Sequence, residues 1–264
     1  MFDSLKNRGF QIELLSHAGA ILSVDFPEAV RDLENAIGEL SIPIEEIVGS
    51  GGGETLGTQR LRRALARLGW AKATFVIEKR INGVAREAIS HEVDHVKEFG
   101  VGRIALEIEW NNKDPFFDRD LENFKRLHSD GAISIGAIVT RGQSLQDDLR
   151  SLVERFARER DLSSHEDVER IGLTRTRRQK EAVDRRVKSL GCSFEEAWSA
   201  LFVADKFGAA TTHWNKLEDR VRRGVGNPCP LVLIGLPSSI VTFNENLELD
   251  DFISGDRPPE ADNL

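Results

Sequence analysis

Three acids near the middle of the chain, Asp94, Glu107 and Glu109, have the side-chain type and spacing to bind a divalent cation. Carboxylates are hard oxygen donors, and magnesium usually needs only a few of them because it keeps several waters. A cation held this way neutralises a phosphate, lowers the pKa of an attacking water and stabilises a leaving oxygen, which is what phosphodiester hydrolysis requires. Glu107 and Glu109 are separated by one residue, so on a strand they share a face. Along Arg103–Trp110 the apolar Ile104, Leu106, Ile108 and Trp110 alternate with Ala105, Glu107 and Glu109. Asp94 lies in a second strand candidate, His91–Lys97, joined to the first by Glu98-Phe99-Gly100-Val101-Gly102. Antiparallel pairing across that turn brings Asp94 towards Glu107. Two glutamates on one strand face also describe an ordinary solvated sheet surface. The polar run Asn111-Asn112-Lys113-Asp114, with Arg119 and Asp120 beyond it, favours a site. Three acids meeting there repel one another unless a cation joins them or water solvates them.

The elements that must position these acids follow from period and punctuation. Gln11–Leu22 is strand-like, and Asp25 caps a helix with Pro27 in its first turn that runs to about Leu40. Gly49-Ser50-Gly51-Gly52-Gly53 is a loop. Leu61, Leu65 and Leu68 mark an amphipathic helix from Leu56 to Leu68. Ala73–Lys79 and Val84–Ile89 flank Asn82-Gly83, a two-residue hairpin signal. Asp114 and Pro115 open a helix carrying Phe117, Leu121, Phe124 and Leu127, ended by Asp130-Gly131. Ile133–Thr140 and Cys229–Leu236 are buried strands, and Gln143–Arg158 and His213–Arg223 are helices. Asp161–Phe207 is helical throughout, with Thr174 and Ser193 as N-caps and Ser193 with Glu196 as a capping box. The order predicts an α/β fold with a mixed central sheet flanked by helices and a helical insertion.

The 264 residues suffice for one large domain or two small ones. No apolar run approaches the roughly 18–20 residues of a membrane span. Without a signal-peptide pattern at the start, the expectation is a cytoplasmic protein with no membrane partner. Cys192 and Cys229 are isolated, as expected of reduced thiols. The net charge of −8 is unevenly spread. The tail 244–264 holds seven acids against one base, and its last ten residues are expected to be disordered. From Arg170 to Lys188 eight bases face two acids, so a locally basic face is available to DNA despite the acidic total.

The stretch His91-Glu92-Val93-Asp94-His95-Val96-Lys97 and the run from Ala105-Leu106-Glu107-Ile108-Glu109-Trp110 through Asn111-Asn112-Lys113-Asp114-Pro115 to Asp120-Leu121 resemble the core of the BglII family of type II restriction endonucleases. Ile133–Arg141, Phe207–Trp214 and Cys229–Gly235 are also similar to it. The resemblance implies the PD-(D/E)XK nuclease fold in its BamHI-like E-x-E variant, magnesium as cofactor, a homodimer and cleavage of short palindromic sites in double-stranded DNA. It implies that Asp94 and Glu107 are the metal-binding acids and that Glu109 orients or deprotonates the attacking water. The connection between Asp94 and Glu107 is longer than is usual in the family. Glu54 matches a helical acid that assists the metal in related nucleases, or serves only as a helix-terminal charge. Lys113 contacts the scissile phosphate or is a solvated lysine. A restriction system also implies a cognate DNA methyltransferase encoded nearby.

On this reading residues 1–160 and 205–243 form the nuclease core, 161–204 a helical insertion for DNA recognition or dimerisation, and 244–264 an acidic tail. Candidate DNA contacts are Arg175, Arg177, Arg178 and Lys180 on the insertion. Thr211, Thr212, His213 and Lys216 lie at the start of a short helix where a phosphate could sit, and Ser238 and Ser239 in a loop after the last strand. Arginines read guanine or bind phosphate, and most helical bases are simply solvated. Two alternatives differ in kind: a repair nuclease of the same fold that recognises DNA structure, and a non-catalytic DNA-binding regulator.

Overall fold

The computed structural model describes residues 1–49 and 55–244, the side chains of residues 79 and 85–89 excepted. In chain order the elements are α1 (Asp3–Lys6), β1 (Gln11–Leu15), α2 (Ala18–Val24), α3 (Pro27–Gly38), β2 (Ile42–Pro43), α4 (Ile44–Gly49) and α5 (Leu56–Arg67). Next come β3 (Ala71–Ile81), β4 (Val84–Phe99), β5 (Gly102–Glu109), α6 (Phe116–Ser129), β6 (Ile135–Arg141) and α7 (Gln143–Glu159). The chain continues with α8 (His165–Arg170), α9 (Arg177–Leu190), α10 (Phe194–Lys206), α11 (Trp214–Arg222), β7 (Leu231–Leu236) and β8 (Val241–Thr242). Among the described residues no helix is long and apolar enough to cross a membrane.

Six strands form one mixed sheet in the order β1-β7-β6-β5-β4-β3. The hairpins β3–β4 and β4–β5 are antiparallel, β5–β6 and β6–β7 are parallel, and β1 closes the edge antiparallel to β7. This is the expected restriction-endonuclease-like arrangement of a mixed sheet with flanking helices. Every residue of β6 and β7 is buried, as expected of central parallel strands, including Thr140 and Arg141 at the end of the otherwise apolar β6. One face of the sheet packs Val93, Val96, Ala105, Ile138 and Leu233 against Phe117, Leu121, Phe124 and Leu127 of α6 and Trp214 and Leu217 of α11. Contact is tight enough that a Cβ on Gly136 would run into the Phe124 ring.

The chain divides into two compact units. The first comprises Met1–Leu40, Thr58–Asp147 and Ala209–Ser239, and contains the six-stranded sheet. The second comprises Ser41–Gly57, Asp148–Gly208 and the residues from Ile240 onward. It holds α8, α9 and α10 and the small parallel pair β2–β8.

Several local expectations are corrected. Val84–Ile89 and His91–Lys97 are one continuous strand, β4, because Ser90 keeps the ladder to Val76. The connection to β5 shrinks to Gly100-Val101, since Phe99 and Gly102 still pair. Gly102 is required there: its φ is +157°, and a Cβ would run into Ser134 Oγ. Gln11–Leu22 is a strand only to Leu15; Ser16 and His17 turn with positive φ and Ala18–Val24 is helical, the ambiguity inherent in a short apolar run. No side-chain cap from Asp25 holds α3, whose N-cap position is Phe26. The basic helix α9 is capped by Thr176 rather than Thr174, in a complete capping box with Gln179. Ser193 accepts from Glu196 N–H, while the Glu196 carboxylate pairs with Arg150 instead of closing the box. The Asn82-Gly83 hairpin stands as expected, with Ile81 opposite Val84 and positive φ at both turn residues. The expectations for residues 50–53 of the glycine run, for Glu54 and for the tail from 245 lie outside the described residues.

Candidate active site

Strand pairing brings two of the predicted acids face to face. The β4–β5 ladder ends at His95 opposite Leu106, which leaves Asp94 and Glu107 as the next residues on the two strands. An extra residue in β4 falls at this point. Ala71 pairs with Val96 but Ala73 with Val93, so β4 spends three steps where β3 spends two, a bulge that lets both valines reach the same core. The Asp94 backbone N–H then donates to Glu107 Oε1 at 3.4 Å. The long connection between the two acids is therefore taken up by strand, not loop. Asp94 itself is solvent-exposed.

Glu107 and Glu109 do not lie on a solvated sheet face. They are 5% and 3% exposed, beneath α6. Burial in a low-dielectric pocket disfavours the charged carboxylate and raises its pKa. For Glu107 burial, then the charges of Asp120 and Asp94, push the pKa up to about 9 against a partial offset from the Asp94 N–H. For Glu109 burial and Asp120 push it up to about 8. Around Glu109 the grip is specific: Asn112 Nδ2 donates to Oε2 at 2.7 Å, and the Arg119 guanidinium stands 3.5 Å from Oε1.

A fourth acid, Asp120, completes the group and was only a neighbour in the sequence reading. It is 1% exposed, its carboxyl is raised by burial, and it pairs with Glu109. Arg119 holds Asp120 Oδ1 at 2.8 Å, while Oδ2 is buried without a hydrogen-bond donor. The signal was present in the periodicity. Asp120 falls three residues after Phe117 and four before Phe124, on the apolar face of α6 where a carboxylate costs most. Lys72 was also missed; it bridges Glu92 at 2.7 Å and lies 4.0 Å from Asp94, and these acids raise its pKa.

The segment after β5 is fixed by a buried arginine that spacing did not single out. Arg141, wholly buried at the end of β6, donates to Trp110 O, Thr211 Oγ1 and Thr212 O. Burial drops its pKa to about 9. Thr212 is fully buried, its hydroxyl accepting from Asn112 N–H, so it clamps the 111–114 segment. Thr211 serves the same clamp, bridging to Lys113. His213 is buried at the start of α11, and burial followed by Arg141 and Lys216 lowers its pKa to about 4. Lys216 faces Asp114 at 3.6 Å. Lys113 is exposed and has no ion pair among the described residues. Ser238 N–H donates to Ser144 Oγ and Ser239 Oγ to Arg8 O, so both serve a structured turn.

In the second unit the predicted bases divide. Arg175 stacks on Phe202 and Trp198 and is half-buried, which lowers its pKa. Arg177 pairs with Glu181 at 2.8 Å and Lys180 pairs with Glu169. Arg178, Arg185 and Lys188 are exposed with no ion pair among the described residues. Of the two free thiols, Cys229 is buried, its pKa pushed up to about 12 by burial, and Cys192 is half-buried.

The four-carboxylate group fits a hard divalent cation in donor chemistry, because every available ligand is oxygen and one buried oxygen lacks a partner. It is not a closed cage: among the described residues no three His, Cys, Asp or Glu side chains stand close enough to hold a metal ion. One or two carboxylates plus water satisfy magnesium, and the Asp94–Glu107 pair supplies that number.

No curated protein matches the chain. A family model described as Restriction endonuclease BglII/BglIII matches residues 10–236, which span the sheet and every residue of the acid group. By that match over most of its length the chain belongs to the BglII/BglIII restriction endonuclease family, whose members are site-specific deoxyribonucleases.

Proposed function

We propose that this endonuclease is magnesium-dependent and cuts double-stranded DNA at a short palindromic sequence as a homodimer. The observation that carries the reading is the contact of the Asp94 N–H with Glu107 Oε1, just past the end of the β4–β5 ladder, while Glu107 and Glu109 are withdrawn from water. Buried acids that retain protons have no structural advantage over apolar residues, and perturbed carboxyls in one cluster mark functional sites. Asp94 and Glu107 would hold the ion, which when bound neutralises the phosphate, acidifies the attacking water and stabilises the leaving oxygen. Glu109, held by Asn112 on one oxygen and near Arg119 on the other, would orient that water, and would accept its proton once the charge of a bound cation has displaced the carboxyl's own proton to solvent. Lys113, exposed in the segment that follows β5, would meet the scissile phosphate. Exposed Arg178 on α9 supplies backbone contacts, and Arg177 and Lys180 can exchange weak surface ion pairs for phosphate at little cost.

A palindromic site needs a two-fold symmetric reader, hence the homodimer. The same reading places the enzyme in the cytoplasm beside a cognate methyltransferase that protects host DNA. Digestion of a plasmid of known sequence tests it: discrete fragments with magnesium and none with EDTA are expected. Cutting that ignores chelator removes the metal, and cutting confined to branched or nicked DNA replaces sequence recognition by structure recognition.

A further inference from the structure

α6 lays an apolar stripe on the sheet through Phe117, Leu121, Phe124 and Leu127, and within that stripe stands Asp120. Nothing in the packing of the helix calls for a carboxylate there, and a buried one is costly unless it is held and used. Its two oxygens behave differently. Oδ1 takes both Nε and a terminal nitrogen of Arg119 at 2.8 Å, whereas Oδ2 has no donor and lies buried. The same guanidinium reaches on to Glu109 Oε1 at 3.5 Å. Asp120 is thus the fixed end of a relay from α6 through Arg119 to the acid on β5.

We propose that Asp120 is a positioning residue for cleavage: through Arg119 it orients the Glu109 carboxyl towards the Asp94–Glu107 pair. Without that anchor the guanidinium, whose side chain is 53% exposed, is free to swing into solvent, and Glu109 is left with Asn112 and its direct contact with the side chain at 120, neither of which fixes Oε1 as the guanidinium does. This rests on the proposed roles of Asp94, Glu107 and Glu109. Supports of this kind usually change rate or affinity by about 10–100-fold.

The test uses the full-length enzyme carrying Asp120→Asn, Arg119→Lys, both changes together, or Glu107→Gln. Three readouts are taken: kcat and KM for plasmid cleavage, the melting temperature without cation, and the shift in melting temperature with added magnesium. Asp120→Asn is expected to lower kcat about 10–100-fold at unchanged KM, with no fall in the cation-free melting temperature and with its magnesium-induced shift retained. Arg119→Lys, at an exposed position that should tolerate substitution, is expected to match it, and the double variant to be no worse than the worse single one. A wild-type kcat in Asp120→Asn while Glu107→Gln is inactive overturns the relay and leaves the site reading intact. Multiplying losses in the double variant also overturn it. So does a kcat loss that tracks a lower melting temperature, which makes Asp120 merely structural, or a lost magnesium shift, which makes it a ligand. Normal cleavage by Glu107→Gln instead removes the site reading itself.

Discussion

The acid cluster of the first unit and the basic stretch of the second handle charge in opposite ways. In the first, Glu107, Glu109, Asp120 and Arg141 are each at most 5% exposed, and among the described residues Arg119 and Lys72 face the acids with opposite charge. In the second, the basic stretch that dominates the sequence lies on helix surfaces. Much of it is answered at close range: Arg170 by Asp167, Arg177 by Glu181, Lys180 by Glu169. Exposed pairs contribute roughly 0–1 kcal/mol and keep a helix soluble. Buried, crowded acids have pKa values far from normal and persist only where a partner or a reaction uses them. Charge count alone points to the second unit; although that unit also buries Glu45 and Glu46, the cluster of acids whose pKa values burial raises lies in the first.

The largest effect expected is the loss of cleavage in Glu107→Ala to background, with DNA binding kept within about tenfold because the acid serves the reaction more than affinity. Gel-shift and cleavage assays on one preparation check this. A variant that cuts normally would erase the contrast between the units. Next, Arg141→Ala should cost about 2–4 kcal/mol in urea unfolding, since two buried carbonyls lose their donor. An unchanged midpoint would show that the clamp on residues 110–114 is not structural.

The pH response is a smaller and sharper discriminator. Glu107 and Glu109 titrate near 9 and 8 in the folded protein and near 4.5 unfolded, so between these values the folded state binds more protons. Stability of the cation-free protein should therefore be greatest at low pH from this source and fall as pH rises from about 5 to 9. Saturating magnesium should flatten the fall in a thermal-melt series, because a bound cation replaces the protons. A cation-free stability that rises through the same window would mean the acids are charged and already satisfied. The smallest effects belong to the second unit. Arg178→Ala should weaken binding modestly at all sequences and reduce the salt slope by about 1, and Arg177→Ala, whose partner competes with phosphate, should do less. Equal losses would show that the Arg177–Glu181 pair does not persist in the complex.

Much of the site was legible because strands impose a period of two. Glu107 and Glu109 had to share a face, and the Asp114–Asp130 region had to cover something with Phe117, Leu121 and Phe124. Asp120 was hidden because a charged residue on a helix is usually read as solvent-facing. Its position on the apolar stripe matters only once the stripe is known to lie over the acids. Arg141 was hidden for a related reason: it ends an apolar strand, where an arginine normally escapes to water. The continuous β4 was missed because its polar and apolar residues alternate irregularly across the bulge.

Local chemistry therefore settled most of the elements, the acids on β5 and the likeness to a nuclease core, since side-chain direction and turn residues act within a few positions. Long-range packing decided which acids meet, how dry they are and which cations reach them. Desolvation and Coulomb energy depend on distances between segments far apart in the chain, and no local pattern encodes those distances.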